Sequence, residues 1–256
     1  MKTNNIIEIT NLSFGYRNQQ ILKEVSVAFP ANEFSVILGR NGSGKSTLLR
    51  LIAGLLPHCK GAIRINGIEL NNLSSAHRAY LVGFLQQSHK PVFPFTVKDV
   101  VLTGRAAFIG YLPTKEDHIA VDDAMERTAI THLQSRLYTE LSGGEQQLVM
   151  LTRLIAQQPD ILLLDEPISH LDYNNQIHII KLIKQLVNDG FTIISVLHDP
   201  NMAFLFGDRF FFVDDQKVYA DNSSEPWKSP LIHKVFHNSI VPVPHAGKML
   251  FIPSLQ

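Results

Sequence analysis

The sequence predicts an α/β fold with a mainly parallel sheet at its core, an N-terminal antiparallel β piece and a helical insert. Three observations predict it. Short apolar runs at Phe34–Leu38, Ile161–Leu164 and Thr192–Leu197 are separated by helical patterns, as expected of parallel strands covered by helices on both faces. A glycine-rich loop, Gly39 to Thr47, joins the first run to a helical pattern, giving strand, loop and helix in succession. The first thirty residues differ, with clustered or alternating apolar positions broken by a polar turn.

In chain order, Ile6–Ile9 and Val25–Phe29 are strands, separated by the turn-like Arg17-Asn18-Gln19-Gln20. Phe34–Leu38 is the first buried strand, and Leu48, Leu49, Ile52 and Leu55 mark one face of the helix after the loop. Val82–Leu85 is a further strand. Helices are predicted over 96–103 and 115–130, within a block punctuated by Gly and Pro that forms the insert. Gly144–Ala156 is a helix, Ile161–Leu164 a fully buried strand, Asn174–Val187 a helix, and Thr192–Leu197 another buried strand. Beyond Asp221 the chain turns to Ser/Pro-punctuated segments with short apolar runs, Val241–Val243 and Met249–Ile252, and reads as a small appended piece.

Length and composition bound the possibilities. At 256 residues the chain is long enough to bury a sizeable core. Lys plus Arg equals Asp plus Glu at 23 each, so no global field draws it to nucleic acid or an acidic membrane surface. Nucleic acid is therefore not an expected partner. The lone cysteine, Cys59, sits in the turn Pro57-His58-Cys59-Lys60 and cannot form an internal disulfide, which fits a cytosolic location. The start, Met1-Lys2-Thr3-Asn4-Asn5, lacks the apolar region of a signal peptide, and no stretch reaches the roughly 18 apolar residues of a membrane span. If the chain serves a transporter, the pore is expected to be another chain.

The loop meets the pattern G-x-x-x-x-G-K-[ST] at Gly39, Gly44, Lys45 and Ser46, in the strand-to-helix context a P-loop requires. Gly39, Gly42 and Gly44, with Asn41 and Ser43 between them, let the backbone curl into a nest of N–H donors around a β-phosphate. Lys45 reaches the β/γ oxygens, the Ser46 hydroxyl ligates Mg²⁺, and Thr47 adds a phosphate contact. Asp165 and Glu166 end the buried strand at 161–164, where an α/β sheet exposes ligand-facing groups. Beside a P-loop, Asp165 is placed to hold Mg²⁺ through water and Glu166 to polarise an attacking water. A second glycine turn, Leu141-Ser142-Gly143-Gly144-Glu145, opens another helix and is a second ready-made phosphate site. Ser142 as N-cap with Glu145 in the first turn also explains it as simple helix initiation.

These motifs, in this order, resemble the ATP-binding cassette (ABC) family, whose members bind ATP and Mg²⁺ on a P-loop NTPase ABC ATPase fold. The resemblance runs from Tyr16 to His198. It implies that Tyr16 stacks on adenine and that His198 contacts the γ-phosphate and helps place the water. It also implies a Q-loop glutamine reaching Mg²⁺ and the attacking water: Gln87 is preferred, with Gln86 beside it left open. Arg40 stands where a proline is common in the family and Ile168 where a threonine is frequent. In the family, Ser142, Gly143 and Gly144 contact the ATP held by a partner subunit, and Ser169 to Asp172 resembles the D-loop that crosses between subunits. A homodimer clamped about two ATP–Mg²⁺ is the arrangement implied.

Within the family, Val92 to Arg105 and Pro230 to Phe236 look like the insert and tail of importers for iron-siderophore, haem and cobalamin-type substrates. That likeness implies separate transmembrane permease subunits, a substrate-binding protein acting indirectly, and a position on the cytoplasmic face of the inner membrane. The whole chain, 1–256, is expected to be one nucleotide-binding domain, with a helical subdomain at about 88–158 and a small C-terminal extension at about 221–256. A soluble non-transport ABC ATPase or a nucleotide-dependent regulatory module is the alternative.

Overall fold

Two adjacent sheets and a layer of helices frame the molecule. The computed structural model describes residues 5–17, 19–57, 60–87, 94–223, 225–237, 239–245 and 247–254. Cys59, the first four residues, and Val92 and Phe93 of the insert motif lie outside the described residues.

The chain begins with β1 (Asn5–Tyr16) and β2 (Gln19–Pro30), an antiparallel pair. Both extend well beyond the apolar clusters that predict them, because their outward positions are polar and exposed. Irregular register accompanies left-handed backbone at Asn11 (φ 49°) and Glu24 (φ 50°), whose N–H groups donate to Ser26 Oγ and Ser13 Oγ at 2.9 Å each. Then come β3 (Phe34–Gly39), α1 (Lys45–Ile52), β4 (Lys60–Ile65), β5 (Ile68–Glu69), α2 (Ser75–Leu81) and β6 (Val82–Leu85). The insert holds α3 (Val97–Leu102) and α4 (Lys115–Arg127), which pack on α5 (Gly143–Ala156). The predicted helix 115–130 stops earlier because Ala129 adopts a left-handed φ of 57° and the Thr128 hydroxyl donates back to Ala124 O at 2.9 Å.

The remaining elements are β7 (Ile161–Asp165), α6 (Tyr173–Asn188), β8 (Thr192–Val196), α7 (Pro200–Phe206), β9 (Arg209–Asp214), β10 (Lys217–Asp221), α8 (Pro230–Val235), β11 (Ile240–His245) and β12 (Lys248–Pro253). One sheet has the order β2-β1-β4-β5, the central one β10-β9-β3-β8-β7-β6, and β11-β12 forms a hairpin. All neighbours in the central sheet are parallel except β10, antiparallel to β9.

The central sheet separates two cores, and alternation along each strand assigns side chains to them. Phe34, Val36 and Leu38 of β3, Leu162 and Leu164 of β7, and Phe210 and Phe212 of β9 join a core with α3 to α7. Ile37, Ile161, Leu163, Phe211 and Val213 face a second core with α1 and the antiparallel sheet. Both faces are buried, which is why these strands are continuously apolar in sequence. Ile232, Val235 and Phe251, from beyond residue 221, enter the first of these cores.

Candidate functional site

Strand ends of the central sheet deliver the site. β3, β7 and β8 run parallel, so the P-loop after Gly39, the Asp165-Glu166 pair and His198 emerge at the same edge, where ligands of open α/β sheets bind. There an open cleft of about 830 Å³ is lined by Tyr16, Asn41, Gly42, Gly44, Lys45, Ser46, Thr47, Gln87, Glu166 and His198. Gln19, Ile21, Ser169 and His170 complete the wall.

The P-loop bends through left-handed backbone at Gly42 (φ 76°) and Gly44 (φ 106°). A Cβ on Gly44 would stand 2.8 Å from Ile21 Cγ2, so glycine is required there for both its φ and its space. Of the eight α-helices among the described residues, α1 alone begins without a side-chain cap; the others are capped by Ser74, Thr96, Thr114, Ser142, Asp172, Asp199 and Ser229. Its first turn has no acidic residue either. Its leading N–H groups thus face the cleft with the positive end of the helix behind them, an arrangement suited to an anion.

Lys45 is buried and its Nζ donates to Gly39 O (2.9 Å) and Arg40 O (2.8 Å), fixing the ammonium across the loop. Burial pushes its pKa down, against the pull of Glu166 and Asp165. Ser46 Oγ donates to Asp165 Oδ1 at 2.7 Å, while Asp165 Oδ2 is buried with no hydrogen-bond partner among the described residues. Burial raises the Asp165 pKa in spite of the Ser46 bond and nearby Arg50. A hydroxyl beside a carboxylate with an idle oxygen is a hard-oxygen donor set, and it fits Mg²⁺, which takes one or two carboxylates and completes its shell with water and phosphate.

Glu166 has left-handed backbone, φ 54°, one of twelve non-glycine positions of that kind among the described residues. Its Oε2 accepts from Gln87 Nε2 (2.6 Å) and Ser169 Oγ (2.8 Å), and its Oε1 meets His198 Nε2. Burial pushes its pKa up, but the His198 and Ser169 bonds and the charge of Lys45 outweigh that and hold it below the usual range. The carboxylate is therefore ionised at neutral pH. Gln87, and not Gln86, lines the cleft. Tyr16 stands at its rim, edge-on to Phe14 at 5.0 Å. Ser169 escaped the sequence reading as a site residue. The only signal for it was its place three residues past Glu166, at the start of the D-loop-like segment.

The second glycine turn lies elsewhere. Ser142 caps α5 in a reciprocal capping box with Glu145, and Gly143 and Gly144 open the helix. Asp172 caps α6, accepting from Asn175 N (2.9 Å) and Nδ2 (2.6 Å), bonds that hold its carboxyl below the usual range. None of these residues lines the P-loop cleft of the same chain, nor do Gly39, Ser43 and Asp165.

Comparison with known proteins agrees with this geometry. Residues 22–169 match the family described as ABC transporter. The hemin import ATP-binding protein HmuV of Rhizobium etli is 36% identical over 228 residues, covering 86% of each chain. Among solved structures, a metal-chelate type ABC transporter in an inward-facing conformation superposes with a TM-score of 0.85 at 26% identity, covering 99% of both chains. A dimeric ATP-binding cassette in a post-hydrolysis state, bound to ADP and phosphate, gives 0.73 at 28% identity over 84% of this chain and 97% of that one. Family match, fold and strand-edge site converge: the chain belongs to the ABC transporter family, as an ATP-binding component with ATPase chemistry.

Proposed function

We propose that this chain is the nucleotide-hydrolysing subunit of an importer, working as a homodimer around two ATP–Mg²⁺ on the cytoplasmic face of the inner membrane. It drives a separate transmembrane permease fed by a substrate-binding protein, for uptake of an iron-siderophore, haem or cobalamin-type chelate. Relatives named for hemin import and a structural neighbour of metal-chelate type support that cargo class. Among the described residues no helix is long and apolar enough to cross a membrane, so the pore is assigned to a partner. The working division is a nucleotide-binding domain spanning 1–256, with a helical subdomain at about 88–158 and an extension at about 221–256.

The observation that carries the hydrolytic role is the Glu166 side chain, held by Gln87, Ser169 and His198 beside an uncapped helix end. In this reading Lys45 and the α1 N–H groups bind the phosphates, with Asn41 and Ser43 shaping the loop and Thr47 adding a contact. Ser46 and Asp165 would hold Mg²⁺, which when bound would neutralise phosphate charge. Gln87 would reach toward the ion's side of the site while donating to Glu166, Glu166 would take the proton from the attacking water, and His198 would orient that water at the γ-phosphate. Tyr16 receives the base. Ser142, Gly143 and Gly144 serve the ATP of the second copy, in keeping with their position away from the cleft of their own chain. Asp172 acts at the crossing between copies.

Affinity purification of the tagged chain from detergent-solubilised membranes tests the transport assignment. A polytopic membrane protein is expected in stoichiometric amounts. A chain recovered wholly from the soluble fraction, with no such partner, would point to the non-transport ATPase instead.

A further inference from the structure

The C-terminal hairpin holds the helix that follows His198 at both of its ends. Asp199 caps α7, accepting from Asn201 N at 2.7 Å, so His198, the cap and the first turn form one continuous segment. From that first turn the Asn201 side chain spans the backbone of Phe251 in β12. Its Nδ2 donates to Phe251 O at 3.1 Å and its Oδ1 accepts from Phe251 N at 2.7 Å. One amide thereby satisfies both main-chain groups of a residue that, among the described residues, has no further strand beside it on that edge. At the other end of the helix, Lys248 Nζ donates to Leu205 O at 3.2 Å. Between these two points the Phe251 ring, 5% exposed, packs on Phe204 with centroids 4.8 Å apart, and Phe204 stacks on Phe210 of β9 at 4.6 Å.

From this we infer that the β11–β12 hairpin is a positioning element for hydrolysis. Through the Asn201–Phe251 clamp it fixes the first turn of α7 and so holds the His198 ring against Glu166. The inference rests on the hydrolytic reading of Glu166 and His198 given above. Asn201 touches neither nucleotide nor water in this account; it acts through His198. The device has a physical rationale. His198 leaves the sheet at the end of β8, beyond the last ladder bond, and its side chain is 37% exposed. Without a hold on the far side, its ring would sample several rotamers, and a displacement of about 1 Å at such a group can cost about a hundredfold in rate.

The test uses the full-length chain carrying Asn201→Ala, Phe251→Ala, Asn201→Asp or His198→Ala. Steady-state ATP hydrolysis, ATP affinity by titration calorimetry and the His198 ring resonances in isotope-labelled protein are measured for each. Asn201→Ala and Phe251→Ala are expected to lower kcat at least tenfold, leave KM and ATP affinity within twofold, and move or broaden the His198 signal. Asn201→Asp keeps the acceptor for Phe251 N–H and loses the donor, so it should fall between these and the parent; being milder, it also serves if an alanine variant fails to fold. Unchanged kcat in the Asn201 variants alongside a severe loss in His198→Ala would overturn the positioning role alone. Unchanged kcat in His198→Ala would remove the hydrolytic reading beneath it. An Asn201 variant losing ATP affinity and kcat in parallel, with the His198 signal unmoved, would mark the clamp as merely structural and end the proposal.

Discussion

Replacing Glu166 by Gln separates chemistry from architecture. The exchange is nearly isosteric: the amide nitrogen at the Oε1 position keeps the His198 contact with Nε2 as its acceptor, and a Gln carbonyl oxygen at the Oε2 position still accepts from Gln87 and Ser169. Those two bonds change from charge-assisted to neutral, a loss of about 1 kcal/mol each. Removing a partly buried negative charge offsets part of this, since burial opposes ionisation there. The net stability change is thus about 1–2 kcal/mol or less, a melting shift below about 5 °C for a chain this size. The proton-accepting function is lost outright, and a positioned base contributes about 10²–10⁴ in rate, or about 3–5 kcal/mol of barrier. Phosphate release should therefore fall by two to four orders of magnitude while the fold survives. Binding surfaces for ATP remain intact, so a dimer should accumulate with ATP and Mg²⁺, detected by light scattering after gel filtration. Turnover within tenfold of the parent, or a variant that stays monomeric under those conditions, would refute the reasoning.

Asp165→Asn should raise the melting temperature at neutral pH while abolishing Mg²⁺-dependent turnover. The folded pKa of Asp165 lies above its unfolded value, so its contribution to stability is fully present below the unfolded pKa and lost as pH rises through the folded one. Glu166 has the opposite sign: its contribution is present above its unfolded pKa and lost only as pH falls through the depressed folded value. The difference between parent and Asp165→Asn melting temperatures should accordingly shrink as pH drops through the carboxylate range, and a difference that grows would contradict it. At the second glycine turn, Gly143→Ala meets open space within 4 Å and improves helix propensity by about 0.5–1 kcal/mol. The isolated chain should be slightly stabilised, yet ATP-driven dimer formation and turnover should drop at least tenfold. Retained turnover would detach the turn from the site.

Legibility in the sequence followed how local the determinants were. The P-loop, the Asp165-Glu166 strand end and His198 are each fixed by a short stretch, and the parallel register of β3, β7 and β8 brings them to one edge. Continuous apolar runs signalled the buried strands because both faces of the central sheet are covered. β9 carried the same signal in Phe210–Val213 and went unassigned, as did β4, β5, β10, α2, α7 and α8, which are short or half-exposed. What the sequence could not display were particular side-chain bonds between unremarkable residues, near or far along the chain. Ser169 to Glu166 depends on a left-handed backbone at Glu166, and Asn201 to Phe251 spans fifty residues. Periodicity also overran the end of α4, where a single left-handed alanine stopped the helix.

The bare start of α1 has a consequence for the standing of the nucleotide. Seven α-helices carry their own terminus in sequence, whereas α1 leaves that role to whatever occupies the cleft, so a bound anion would complete a secondary structure element as much as serve as fuel. Ligand binding and folding are then linked, and a hundredfold excess of ATP over its dissociation constant adds about 2.7 kcal/mol to the folded state. Raising the nucleotide concentration should thereby raise the melting temperature of this subunit.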